Sequence, residues 1–258
     1  MNLKGICFYL GLFLFPIVIL SFINILYASY FDYFLSIDTY FATLIVSLTV
    51  GSSLLYYGRN CKKNLNFIDQ LILIIFCYFL TSFLIAIPFY LSNYQVTFLN
   101  SVFESISGIT GTGFSIFENI KYLDPTLILW RSTSQWIGGL YFLFFLILIF
   151  SNKQFNYKMN DLTFSGDGSV NSENNIKDLL FKIFVLYSLL SLIIFLALNI
   201  SGVRMFNSLN LSMSLISTGG FLPTNSLNLI IQSNIQKIVL IISLLISLLN
   251  FFLILNIF

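Results

Sequence analysis

Six apolar runs along the chain reach membrane-spanning length, at approximately 6–29, 38–57, 67–91, 126–150, 179–200 and 235–258. A helix crossing the hydrocarbon core needs about 20 such residues at a rise of 1.5 Å each, so each run predicts a transmembrane helix. Two segments break the pattern. Residues 98–114 and 206–221 are too polar and too rich in glycine for their place between long apolar runs, and each holds only about a dozen helical residues, too few to span. They read as short re-entrant helices, each ending in a glycine-rich turn.

These two segments are copies of each other. At an offset of 107 without a gap, Asn100, Ser101, Ser105, Ser107, Ile109, Gly113 and Phe114 align with identical Asn207, Ser208, Ser212, Ser214, Ile216, Gly220 and Phe221. The organisation that follows is all-α and polytopic: two N-terminal transmembrane helices in 1–60, a first pore module in 61–151, a linker loop in 152–178 and a second pore module in 179–258. Boundary residues agree with these limits. Asp124 followed by Pro125 gives an N-cap and a proline at the first helical position, starting the fourth spanning helix. Pro88 should kink or end the third. The linker is polar and turn-rich, with Gly166, Asp167, Gly168 and Asn171. The first run, Ile6 to Ala28, follows a lone Lys4 but is too long for a signal peptide and lacks a small-residue cleavage site, so it reads as a permanent helix.

Composition narrows the class. The chain is 58% hydrophobic and 9% charged, with mean hydropathy +0.93, against about one quarter charged in a soluble domain. The net charge of +2 is scattered between apolar runs and forms no nucleic-acid patch. Cys7, Cys61 and Cys77 lack metal-ligand or redox spacing, and histidine is absent, so a disulfide scaffold, His-ligated metal or His proton relay is unsupported. No Walker motif, nucleophile elbow or catalytic carboxylate pair is present; no enzyme and no cofactor is expected.

Basic residues orient the chain, since short cytoplasmic loops are enriched in Lys and Arg. Lys4, Arg59, Lys62, Lys63, Lys153, Lys158, Lys177 and Lys182 fall on one side, against Lys121, Arg131 and Arg204 on the other. The N-terminus is therefore placed in the cytoplasm and both glycine-rich turns outside. Tyr27, Tyr30, Tyr56, Tyr57, Tyr90 and Tyr94 lie near the expected interfaces and read as an aromatic belt.

The turns carry the candidate chemistry. Thr110, Gly111, Thr112 and Gly113 in the first copy, and Ser217, Thr218, Gly219 and Gly220 in the second, form runs in which glycine permits backbone angles closed to other residues. Such a loop can aim successive carbonyls at a dehydrated cation, and the hydroxyls can add oxygens. Each short helix directs its C-terminal dipole, about half a negative charge, at the same point. Behind the turns, Glu104 is ionisable at membrane depth, but its counterpart is Leu211, which suits a structural role accepting backbone donors rather than a repeated ion ligand. Arg131 and Gln135, four apart, share a helix face and read either as an interfacial anchor or as a brace for the pore helix. Trp136, Gly138 and Gly139 suit close helix approach.

The run from Phe103, Glu104 and Ser105 through Ser107, Gly108, Thr110, Thr112 and Gly113, followed by Trp130, Arg131, Gln135, Trp136, Gly138 and Gly139, resembles the first pore module of the Trk/Ktr/HKT potassium transporters, in the TrkH branch. Gly219, Gly220 and Phe221, with Leu244 to Ser247 and Asn250, are similar to that family's second module. The resemblance implies a helix, pore helix, helix unit repeated four times about an axis after two extra helices. This chain would hold the N-terminal half, with Gly113 and Gly220 as filter glycines and potassium as the transported ion. Gly111 departs from the threonine common in bacterial relatives. Two modules cannot surround an ion, so a second copy or a partner chain with the missing modules is expected; the alternative is a truncated or non-conducting subunit of a split transporter. The family also implies a cytosolic nucleotide-binding regulatory partner. A carrier for another solute would need charged residues near the bilayer midplane, and these are lacking.

Overall fold

Backbone amides inside hydrocarbon need internal partners, and the long apolar runs meet that demand as helices. The computed structural model describes residues 2–60, 65–150 and 173–248. In chain order its helices are α1 (Leu3–Tyr30), α2 (Phe34–Gly58), α3 (Phe67–Leu91), α4 (Phe98–Ile109), α5 (Pro125–Phe150), α6 (Glu173–Ile200), α7 (Met205–Ile216) and α8 (Asn234–Ser247). Five of them, α1, α2, α3, α5 and α6, are long and apolar enough to cross a membrane. The sixth expected span is described only as the 14 residues of α8; its remainder to 258, Cys61 and most of the linker lie outside the described residues. The largest outward shifts from expectation are at two helix starts. α2 begins at Phe34 rather than 38, and α6 begins at Glu173 rather than 179.

The N-terminal pair packs through small residues, which replace the missing hydrophobic drive between helices in lipid. At Gly11 of α1 a Cβ would lie 2.8 Å from Leu55 Cγ and 2.9 Å from the Gly51 carbonyl oxygen of α2. α3 starts from a capping box, Asn66 with Asp69, and Asp69 also accepts the Asn2 amide at 3.2 Å, tying the starts of α1 and α3 together. Pro88 lies inside α3, which ends three residues later at Leu91.

The path of α4 follows from what holds its two ends. Thr97 caps its start, just beyond the end of α3, and the chain leaving its far end returns to the same level, where a short 3₁₀ turn (Ile120–Tyr122) leads into α5. Tyr94 pins that return. Its hydroxyl donates to the Tyr122 carbonyl at 3.0 Å and accepts the Asp124 amide at 2.7 Å. Tyr94 is thus a loop fastener, its hydroxyl held between two backbone partners. Burial, aided by the Asp124 charge, raises its phenol above the ordinary range.

Polar α4 and α7 survive among apolar helices because their hydroxyls bond within their own backbone. Ser101, Ser105, Ser208 and Ser212 are buried, and each donates to a carbonyl three to five residues earlier. α5 joins two apolar cores. One gathers α1, α3 and one face of α5 around Leu14, Leu73, Phe89, Trp130 and Tyr141; the other gathers the opposite face of α5 with α6 and α7 around Leu143, Ile183, Tyr187 and Leu211. Gly138 lets α5 close on the end of α4: a Cβ there would lie 2.6 Å from the Ile109 carbonyl carbon and overlap its oxygen. Since that neighbour is backbone, the helices must part. Gly138→Ala should therefore lower stability by about 1–3 kcal/mol, as overpacking does. A thermal melt in detergent checks this, and an unchanged midpoint would contradict the tight α4–α5 contact.

Candidate functional site

The ends of α4 and α7 meet. A Cβ at Gly113 would sit 2.6 Å from Gly220 Cα and 2.7 Å from its nitrogen, while one at Gly220 would sit 3.2 Å from Gly113 Cα. The two turns expected to act together are thus in backbone contact, beside the middle of α5 at residues 135–139.

Three backbone bonds of their local folding are duplicated, and the first turn adds one from Gly113 N to Ser107 O at 3.4 Å. Beyond α4, Thr110 N donates to Ile106 O, Gly111 N to Gly108 O and Thr112 N to Ser107 O; beyond α7, Ser217 N donates to Met213 O, Thr218 N to Leu215 O and Gly219 N to Ser214 O. Every pair is 107 apart. The amides turn back onto the helix ends, so the carbonyls are left over. Among the described residues, those of Thr110, Gly111, Thr112, Gly113, Thr218, Gly219 and Gly220 accept no protein hydrogen bond, and Ser217 O takes only the Thr218 hydroxyl. Seven unpaired carbonyls together, on exposed and half-exposed turn residues at the negative ends of two helices, form an oxygen-lined arrangement of the kind that suits a cation. The Thr110 and Thr112 hydroxyls lie 2.7 Å apart beside them. Among the described residues no group of three or more His, Cys, Asp or Glu could hold a metal ion, which leaves backbone and hydroxyl oxygens as the ligands on offer.

Glycine serves the two turns differently, which corrects the expectation that both need it for backbone angles. In the first, Gly111 and Gly113 adopt φ of +70° and +81°, where other side chains are strained. In the second, Thr218 takes the equivalent left-handed conformation at φ +53°, while Gly219 and Gly220 do not have positive φ. There glycine is required by space. A Cβ at Gly219 would lie 2.5 Å from Gln135 Oε1 and 2.7 Å from Nε2, and Gly220 abuts Gly113.

Behind the turns lies a buried ion pair. Arg131 Nε donates to Glu104 Oε1 at 2.8 Å, with exposures of 1% and 0%. Glu104 Oε2 accepts the Ile116 amide at 2.9 Å, and Oε1 accepts the Ser115 hydroxyl at 3.0 Å. Arg131 also donates to Ser115 Oγ at 2.9 Å and to the Leu222 carbonyl at 3.4 Å, and its guanidinium lies 4.2 Å from the centre of the Phe221 ring. One side chain of α5 therefore touches both loops. Its burial removes the interfacial-anchor reading. Gln135, also buried, accepts the Phe221 amide at 3.2 Å. Gly139 gives room to Ser217 and to the Tyr187 hydroxyl, and Trp136 donates to Ser191 Oγ at 3.0 Å.

Sequence reasoning missed several participants. Ser107 donates to the Phe114 carbonyl at 2.5 Å; its identity with Ser214 in the repeat was the available signal. Ser115 joins the ion pair without any sequence mark. Asn225 Nδ2 donates to Asn119 Oδ1 at 3.1 Å and its Oδ1 accepts the Lys121 amide at 3.2 Å, clasping the loops that follow the two turns.

Comparison with known proteins places these features in context. The family model described as TrkH, cation transport protein, matches residues 36–258. An uncharacterized cation transporter of Methanocaldococcus jannaschii is 30% identical over 164 residues, 63% of this chain and 34% of its own length. The Trk system potassium uptake protein TrkG of Escherichia coli is 24% identical over 193 residues, 72% of this chain and 39% of its own. The crystal structure of the potassium transporter TrkH from Vibrio parahaemolyticus superposes with a TM-score of 0.80 at 20% identity, over 97% of this chain and 51% of that one. At that identity the likeness is one of fold. The chain thus spans about half the length, or less, of these relatives.

Proposed function

The chain belongs to the TrkH cation transport protein family, and from that premise we propose that it takes potassium ions across the cytoplasmic membrane through the paired turns. The observation that supports this best is the set of unbonded carbonyls at Thr110, Gly111, Thr112, Gly113, Thr218, Gly219 and Gly220, on two loops in contact. These oxygens stand in for water around a dehydrated cation, with the helix dipoles adding negative potential. Entry is driven in part by the membrane potential, about 2.3 kcal/mol per charge per 100 mV. The N-terminus lies in the cytoplasm and the turns face outside.

Two modules supply half a ring of ligands, so a second copy or a partner chain with two more modules closes the pore. A cytosolic nucleotide-binding regulator, if bound, meets the inner loops at 59–66 and 152–177. A strain lacking its own potassium uptake tests the proposal. Expression of the chain with a partner carrying the other modules should restore growth at limiting potassium. No rescue with any such partner, despite good membrane expression, would favour a non-conducting subunit.

A further inference from the structure

Gln135 does more than fill space, because the bond it makes fixes the direction of a neighbouring carbonyl. The amide it accepts, Phe221 N–H, belongs to the same peptide unit as the Gly220 carbonyl. A trans peptide is planar, and its N–H and C=O point in opposite directions. Phe221 N–H can only donate, so Oε1 rather than Nε2 must face it. With that N–H held against α5, the Gly220 carbonyl is turned away from α5, on the side where the loop meets Gly113. Resting on the potassium reading above, we propose that Gln135 is a positioning residue that locks the Gly220 carbonyl toward the ion path.

The lock works across modules. Gln135 sits on the last helix of the first module, and the carbonyl belongs to the second. The first loop is held otherwise, from its own pore helix, by the bond from Ser107 to the Phe114 carbonyl. Gly219 keeps the lock possible, since any Cβ there would displace the Gln135 amide. Among the described residues Gln135 Nε2 is buried without a hydrogen-bond partner, so the side chain leaves a donor unmet while its oxygen holds the loop. Methionine, of similar volume, removes that orphan while also removing the acceptor, and so should fold while freeing the peptide to turn.

The sequence provides a selective probe. Glycine followed by phenylalanine occurs only at 113–114 and 220–221, so carbonyl-13C glycine with 15N phenylalanine marks these two peptides alone. In the assembled transporter reconstituted in lipid, with this chain alone labelled, solid-state NMR with potassium chloride titrated against N-methylglucamine chloride should move both carbonyl signals. Gln135→Met should weaken the Gly220 response about fivefold, the scale of one lost hydrogen bond, and leave Gly113 unchanged. Gln135→Glu, which keeps an acceptor, should restore it. An unchanged Gly220 response in the methionine variant overturns the lock while sparing the potassium reading; silence of both signals in the wild type overturns both. Should the methionine variant not fold, amide exchange in the wild type decides: Phe221 N–H should be protected and Phe114 N–H, which has no acceptor among the described residues, should exchange fast. Equal, fast exchange would overturn the proposal.

Discussion

Replacing Arg131 with methionine should remove about 3–5 kcal/mol of stability and most of the folded yield, because it leaves the Glu104 charge buried without its partner. Glu104 is fully buried and has few places to send that charge: beyond Arg131 it holds only the Ile116 amide and the Ser115 hydroxyl. Loss of the guanidinium also frees Ser115, the Leu222 carbonyl and the ring of Phe221. The pair itself is not expected to be strongly stabilising, since desolvating two charges offsets much of their attraction. Glu104→Met with Arg131→Met should therefore be more stable than either single variant, and Glu104→Gln milder than Arg131→Met. Thermal melts of the four proteins form a double-mutant cycle. If the two single losses simply add, the residues act independently and the brace is misassigned.

Gly113→Ala should reduce rubidium or potassium uptake by the assembled transporter to background. Two costs combine at this position. An alanine at φ +81° is strained by about 1–3 kcal/mol, and its methyl would meet Gly220 Cα at 2.6 Å, backbone against backbone, where no side chain can give way. The loops must separate, and the facing carbonyls separate with them. Gly220→Ala has no positive φ to resist and a looser contact of 3.2 Å, so it should retain measurable flux. Equal uptake by both variants, at matched membrane levels, would show that the contact does not shape the path.

Much of this architecture is legible in the sequence because membrane physics writes it in long blocks. A spanning helix needs an apolar run of fixed length, and Asp124 with Pro125 marks the start of α5 to the residue. The repeat offset of 107 survives as a repeated hydrogen-bond pattern, because identical small residues at identical helix ends fold alike. Helix starts were less legible. Hydropathy registers the hydrocarbon core, whereas α2 and α6 begin in polar sequence before it, around Ser36 and Asp38 in one and from Glu173 in the other.

The site was legible in its residues and not in its pairings. Glu104 and Arg131 are 27 apart, and nothing local announces that they meet. Phe114 and Phe221 are identical in the repeat yet opposite in fate, 69% and 1% exposed. The reason is tertiary: α5 of the first module covers the second loop, and no described helix covers the first in the same way. The glycines differ between the copies too: the first needs them for conformation and, at Gly113, also for space, the second for space alone.

The most direct measurement is a diffraction structure of the assembled transporter in rubidium or thallium, read as an anomalous difference map. The account predicts a peak between the loops, within coordination distance of the carbonyls at 110–113 and 218–220. Peaks confined to other parts of the molecule, with those carbonyls bonded to protein instead, would contradict it.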